Sequence, residues 1–141
     1  MVEIDSTDDL GVLKQKLAEA LNQRTFLAEK LKIAGSMLYW TEGAMFNQEK
    51  KAVSVDFANS NPKMIELFLK FLREICGINE KRLRILLYCY ANQNIDDLIK
   101  FWHITTDVPK NQFTKPYVRY DFLPEKKDKM KYGLVHIRYC D

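Results

Sequence analysis

Between Leu10 and Thr41 the a and d positions of one unbroken heptad repeat are filled by Leu10, Leu17, Arg24, Leu31 and Leu38 and by Leu13, Ala20, Leu27, Ala34 and Thr41, with Arg24 the one charged interruption. No proline occurs before Pro62. A repeat of this length without a breaker commits the opening of the chain to a single long helix. Ser6 or Thr7 can cap it, and Asp8 and Asp9 place negative charge in its first turn, where the helix dipole favours it. Two arrangements satisfy such a stripe. The helix lies on its own domain's core, or it meets a second helix along a seam, where a charged residue at one a position is tolerated.

After Gly43 the period changes from helical to alternating. Glu49-Lys50-Lys51 reads as a hairpin tip, with a short strand before it from Met45 to Gln48. Residues 52–58 then put Val53, Val55 and Phe57 on one face and Ser54, Asp56 and Ala58 on the other, as in a half-buried strand. Asn61 caps the next helix with Pro62 at its first position; Ile65, Phe68, Leu69, Leu72 and Ile75 form its apolar stripe, and Gly77 ends it. A strand over 82–91 points Leu83, Ile85, Leu87 and Cys89 inward and Arg82, Arg84, Tyr88 and Tyr90 outward. Asn94 caps a helix through about Thr106; strands over 115–120 and 132–140 follow, separated by a basic loop at 124–129. The expectation is an α+β fold, an antiparallel sheet with helices on one face, preceded by the long N-terminal helix.

Length and composition fit one globular domain: 141 residues, 47% hydrophobic and 29% charged. No apolar run approaches the roughly 20 residues of a membrane span, and the acidic stretch Met1–Leu10 is unlike a signal peptide, so a cytoplasmic protein is expected. Cys76, Cys89 and Cys140 are odd in number and widely spaced, which suggests reduced core residues rather than disulfides. Two histidines, His103 and His136, leave little for a zinc site or a nucleophile–histidine arrangement, and no glycine-rich phosphate loop is present. Trp40 and Trp102 fall on apolar stripes and read as core.

Charge is uneven. Residues 1–61 hold 7 basic against 9 acidic side chains, whereas residues 110–141 hold 8 against 4. A basic C-terminal third suggests a side that faces a polyanion. The outward residues of the later strands agree: Arg84, Tyr88, Tyr90, Lys115, Tyr117, Arg119, His136 and Arg138 suit phosphates and base edges, although an ordinary solvated sheet face has similar polarity and Asp56 opposes the reading if it shares that face. Glu42 stands apart. It ends the long helix, where the dipole disfavours an acid, and a bound divalent cation gives one reason for it; simple solvent exposure gives another.

The run Gly35-Ser36-Met37-Leu38-Tyr39-Trp40-Thr41-Glu42-Gly43 resembles a degenerate LAGLIDADG motif, with a small residue at Ser36 and the closing acid–glycine pair, but without the leading Leu-Ala-Gly and the first Asp. The segments Val53–Pro62, Phe71–Gly77 and Gln112-Phe113-Thr114-Lys115-Pro116-Tyr117 are similar to the continuation in single-motif members of the LAGLIDADG homing-endonuclease family. The resemblance spans roughly residues 32–140. It implies a saddle-like antiparallel sheet gripping duplex DNA, and two chains paired through their motif helices over a near-palindromic site. It also implies Mg²⁺ held by Glu42, with Gln48 and Lys115 as further catalytic candidates. Lys50, Lys51 and Arg82 join the DNA-facing set. Residues 1–31 then extend the dimer as a parallel coiled coil, and residues 32–141 form the DNA-binding domain. A homodimeric Mg²⁺-dependent endonuclease, a DNA-binding regulator that no longer cuts, and a purely structural dimerisation module are the three functions this pattern admits.

Overall fold

The structure is a computed structural model and describes residues 6–43, 54–121 and 130–139. Helix α1 runs unbroken over Ser6–Glu42, 37 residues, or about 55 Å at the usual helical rise. It is followed by β1 (Val55–Asn59), α2 (Pro62–Glu74), β2 (Leu83–Tyr90), α3 (Ile95–Thr106), β3 (Tyr117–Arg119) and β4 (Leu134–Tyr139). The sheet order is β1-β4-β2-β3.

Local chemistry sets the element boundaries. Asn61 accepts from the Lys63 N–H and Pro62 occupies the first turn of α2, while Asn94 accepts from the Asp97 N–H to start α3. Asp107 closes α3 in the left-handed conformation, φ 55°, and its N–H returns to the His103 carbonyl. Gly133 opens β4 at φ 71°, and a Cβ there would lie 2.6 Å from the Tyr88 carbonyl oxygen, so this approach of the chain to β2 requires glycine.

One face of the sheet carries Phe57, Leu83, Ile85, Leu87, Cys89, Val135 and Ile137, all buried against Ile65, Phe68, Leu69 and Leu72 of α2 and Leu98 and Trp102 of α3. Phe57 and Phe68 stack at 4.2 Å, and the buried indole of Trp102 donates to the Tyr132 carbonyl at 2.7 Å, which satisfies its one polar atom. Arg73 ties α2 to its surroundings by donating to Glu80 at 2.6 Å and to the Thr106 carbonyl at 2.8 Å.

Several expectations change. The sheet is mixed, not antiparallel: β2 pairs with β4 antiparallel but with β3 in parallel, and α3 is the crossover that parallel pairing requires. Alternation in 115–120 identifies a strand and its faces; it says nothing of direction. Cys89 is buried as expected, and burial raises its thiol pKa, but Cys76 is exposed; Cys140 lies outside the described residues. Tyr132, at the start of the strand expected over 132–140, instead precedes β4 and stacks on Phe101 at 3.9 Å. No helix among the described residues is long and apolar enough to cross a membrane.

Helix α1 answers the question its heptads pose in two halves. Leu31, Gly35, Leu38 and Tyr39 turn to the chain's own domain, and Gly35 lies so close to α2 that a Cβ would fall within the Phe71 ring. Leu31 and Leu38 are therefore not available to a seam running the whole length of the repeat. Leu10, Leu13, Leu17, Leu21 and Leu27 are all more than half exposed, on an arm that projects past the domain. Trp40, read from sequence as core, is 81% exposed; it lies with Phe26, Ile33 and Met37 on the side of α1 turned away from Leu31 and Leu38. Apolar residues thus occupy two opposed sides of one helix.

Candidate nucleic-acid interface

The helices pack on the Phe57 side of the sheet, and pleating sends the intervening residues to the other side. There Asp56 is paired across strands with Arg138, Arg138 with Arg84, Leu86 with His136, and Tyr88 with Tyr117. The register brings together Arg84, Tyr88, Tyr117, Arg119, His136 and Arg138, six of the residues that sequence alternation assigned to one face.

Directly opposed arginines repel, so the Arg84–Arg138 pair needs compensation. Each guanidinium finds a different partner. Arg84 donates to the Lys81 and Leu83 carbonyls, both at 2.7 Å, which orient it without cancelling its charge. Arg138 Nε donates to Asp56 Oδ2 at 3.2 Å, and His136 Nδ1 lies 2.9 Å from Asp56 Oδ1. Burial pushes the Asp56 carboxyl up, but the hydrogen bond and charge of His136 together with Arg138 outweigh it, and the carboxyl ends below its ordinary range. Asp56 does share the face, and it offsets part of the positive charge there. The residues in view remain predominantly basic, with Arg84, Arg119, Arg138 and the exposed Lys115 set against Asp56 and Asp121.

Three rings form a ladder across the strands, Tyr117 to Tyr88 at 4.9 Å and Tyr88 to His136 at 4.7 Å, tilted by 35° and 36°. These separations equal the spacing of neighbouring strands, so the rings stand side by side and cover one another's faces. Such rings offer hydroxyl and imidazole edges rather than flat platforms. Edges of that kind suit phosphates and groove contacts; stacking of unpaired bases needs an open ring face. At the sheet margin Tyr88, Tyr117, Val118, Arg119, Tyr120 and Asp121 line a shallow cleft. Arg119 Nε donates to Asp121 Oδ1 at 2.9 Å, and its guanidinium lies 5.8 Å from the Tyr90 ring centre.

Other assigned residues are placed differently. Tyr90 is 6% exposed, its ring beneath the guanidinium of its cross-strand partner Arg119 and its N–H donating to the Gln93 side chain, so it is covered rather than presented. Arg82 precedes β2 in a 3₁₀ turn and stacks on Tyr139 at 4.5 Å, away from the ladder. Lys115 is exposed just before β3. Gln48, Lys50 and Lys51 lie outside the described residues. Glu42 is exposed on the last turn of α1, and the following Gly43 forms a bridge with Phe57 that ties this helix end to the sheet. Among the described residues no group of three or more His, Cys, Asp or Glu side chains is gathered for a metal. An exposed carboxylate at a helix end is still a fitting single oxygen ligand for Mg²⁺, which often binds through one or two carboxylates and water. Sequence reasoning missed Tyr120, 85% exposed, because strict alternation sends it to the other face, whereas β3 ends one residue earlier.

The chain matches no family model, and neither curated proteins nor solved structures match it.

Proposed function

We propose that this chain is a DNA-binding protein of the LAGLIDADG homing-endonuclease type, acting as a homodimer on a near-palindromic duplex. The observation that carries the reading is the ladder face: Arg84, Arg138 and Arg119 around the edge-presenting Tyr117, Tyr88 and His136, on the side of the sheet opposite the helices. Arg84 and Arg119 engage phosphates or guanine edges, and the tyrosine hydroxyls contact the backbone. The two chains meet along the outer side of the motif helix, through Phe26, Ile33, Met37 and Trp40, so that one half-site faces each copy.

Selection of bound duplexes from a randomised pool tests this directly. Enrichment of a sequence with twofold symmetry is the expected result. Failure to retain any duplex at low salt ends the reading and leaves a structural dimerisation module.

The exposed Glu42 carboxylate, fixed beside the sheet by the Gly43–Phe57 bridge, favours retained cleavage over binding alone. Glu42 from each chain would hold Mg²⁺, with Lys115 and Gln48 as the polar candidates around it. The ion supplies Lewis acidity and an activated water when bound. Glu42→Gln is then expected to abolish Mg²⁺-dependent nicking while leaving duplex affinity in Ca²⁺ within twofold. No nicking by either protein leaves a regulator that binds without cutting, and equal nicking by both removes Glu42 from the cleavage site.

A further inference from the structure

We propose that the projecting arm of α1 pairs with the arm of a second copy in antiparallel orientation, placing the two globular domains at opposite ends of the paired helices. This pairing is independent of what the open sheet face binds.

The direction of the leucine stripe decides the geometry. Leu10, Leu13, Leu17 and Leu27 continue, turn by turn, the side of α1 that Leu31, Gly35 and Leu38 turn to the domain. A helix laid on those leucines in parallel runs on into α2, because at Gly35 the space beside α1 is already filled by Phe71 with no room for a methyl group. Its own domain, attached on the same side, meets the first. Reversing the second helix removes both collisions, since only the first turn of each arm then comes beside the other copy's domain, at the open groove between α1 and α2.

Register follows from the same constraint. In antiparallel two-helix packing an a residue of one helix meets a d residue of the other. The alignment that covers the whole free stripe without seating a leucine on the buried Leu31 sets Leu10 on Leu27, Leu13 on Arg24 and Leu17 on Ala20 of the second copy. Arg24 then faces Leu13, whereas a parallel seam would set Arg24 against its own copy. Asp9 comes opposite Lys30, a favourable pair at the edge of the seam. Asp9 of the incoming arm comes beside the groove between the two helices of the first copy, lined by Arg24, Leu27, Lys30, Lys70, Glu74 and Ile75, where three basic side chains outnumber one acid. Leu10, Leu13, Leu17 and Leu27 on the seam and Leu21 at its edge, each more than half exposed, bring the apolar area covered over two copies to the order of 1,000 Å², about the lower bound of a specific interface.

The test uses the full chain with Cys76→Ser and Cys140→Ser, adding Leu10→Cys in one preparation and Leu27→Cys in a second. Mild oxidation of the mixture is expected to give a disulfide-linked dimer of one chain from each, and either preparation alone is expected to give none. Linked dimers within each separate preparation mean a parallel seam and overturn the proposal, as does the absence of any linked dimer. Sedimentation of the Leu13→Lys, Leu17→Lys double variant is the second reading. Its mass is expected to be half that of wild type, four chains to two if the Trp40 side also pairs and two to one if it does not. An unchanged mass overturns the proposal, while the starting number of chains reports separately on the Trp40 side.

Discussion

His136 Nδ1 lies 2.9 Å from Asp56 Oδ1 across the β1–β4 pairing. An ionised carboxylate can only accept, so Nδ1 carries the proton and the imidazole is held with Nε2 directed away from Asp56. The second oxygen of the same carboxylate takes the Arg138 guanidinium at 3.2 Å. One acid therefore orients two of the basic groups on the open face and weakens the positive field around them.

These two effects separate in the Asp56→Asn variant. Removing the charge from a part-buried, doubly bonded carboxylate is expected to lower stability by about 1–3 kcal/mol, read as a fall in melting temperature. Duplex affinity at low salt is expected to rise, because a negative charge leaves the DNA-facing side. A variant that is less stable and also binds more weakly would mean that Asp56 serves the interface chiefly by positioning His136 and Arg138.

The same carboxylate makes stability depend on pH. Its pKa in the folded chain is depressed below the unfolded value, so its contribution is present in full above the ordinary carboxylate range and is lost as pH falls through the folded value. Denaturant titrations from pH 7 downward are expected to show wild type losing more stability below about pH 4 than Asp56→Asn loses over the same interval. Parallel curves for the two proteins would remove the linkage.

Arg84 and Arg119 hold their charge in different company, and the difference is measurable. Arg84 is oriented by carbonyls, whereas Arg119 shares its charge with Asp121. Replacing Arg84 with Ala is expected to reduce the slope of log affinity against log salt by about 1, the loss of one phosphate contact. Replacing Arg119 is expected to reduce it by less, because Asp121 already competes for that guanidinium. Binding isotherms at four or five salt concentrations decide between them.

Much of this face was legible because a strand's period of two needs no tertiary knowledge: Arg84, Tyr88, Tyr117, His136 and Arg138 fall where alternation sends them. Helix starts at Asn61 and Asn94 were legible for a similar reason, since a side-chain cap is a local bond. What alternation could not give was pairing direction and depth. Nothing in residues 115–120 says that β3 runs parallel to β2, and nothing in Tyr88 and Tyr90 says that one lines the open face while the other is buried beneath Arg119. The heptads misled in a comparable way. Leu10 through Leu38 form one stripe in sequence, and only the position of α2 divides it into a covered half and a free half. Trp40 read as core because the composition of a stripe identifies an apolar face without identifying what covers it.

Two glycines in α1 give the sharpest check on that division. Gly11 lies in the arm, and a Cβ there meets nothing within 4 Å; Gly35 lies where α1 meets α2, and a Cβ there overlaps Phe71 and approaches even its Cβ to 2.6 Å, so rotation of the ring alone cannot make room. Helix propensity taken alone favours alanine at both places by about 1 kcal/mol. Gly11→Ala is accordingly expected to raise helicity and stability by roughly that amount. Gly35→Ala must instead push two packed helices apart, and overpacking of this kind costs about 1–3 kcal/mol, more than the propensity gain offsets. Chemical denaturation followed by far-ultraviolet circular dichroism is therefore expected to give opposite signs for one and the same substitution. Stabilisation at both positions would mean that α1 does not lie against Phe71, and the covered half of the stripe would then be as free as the arm.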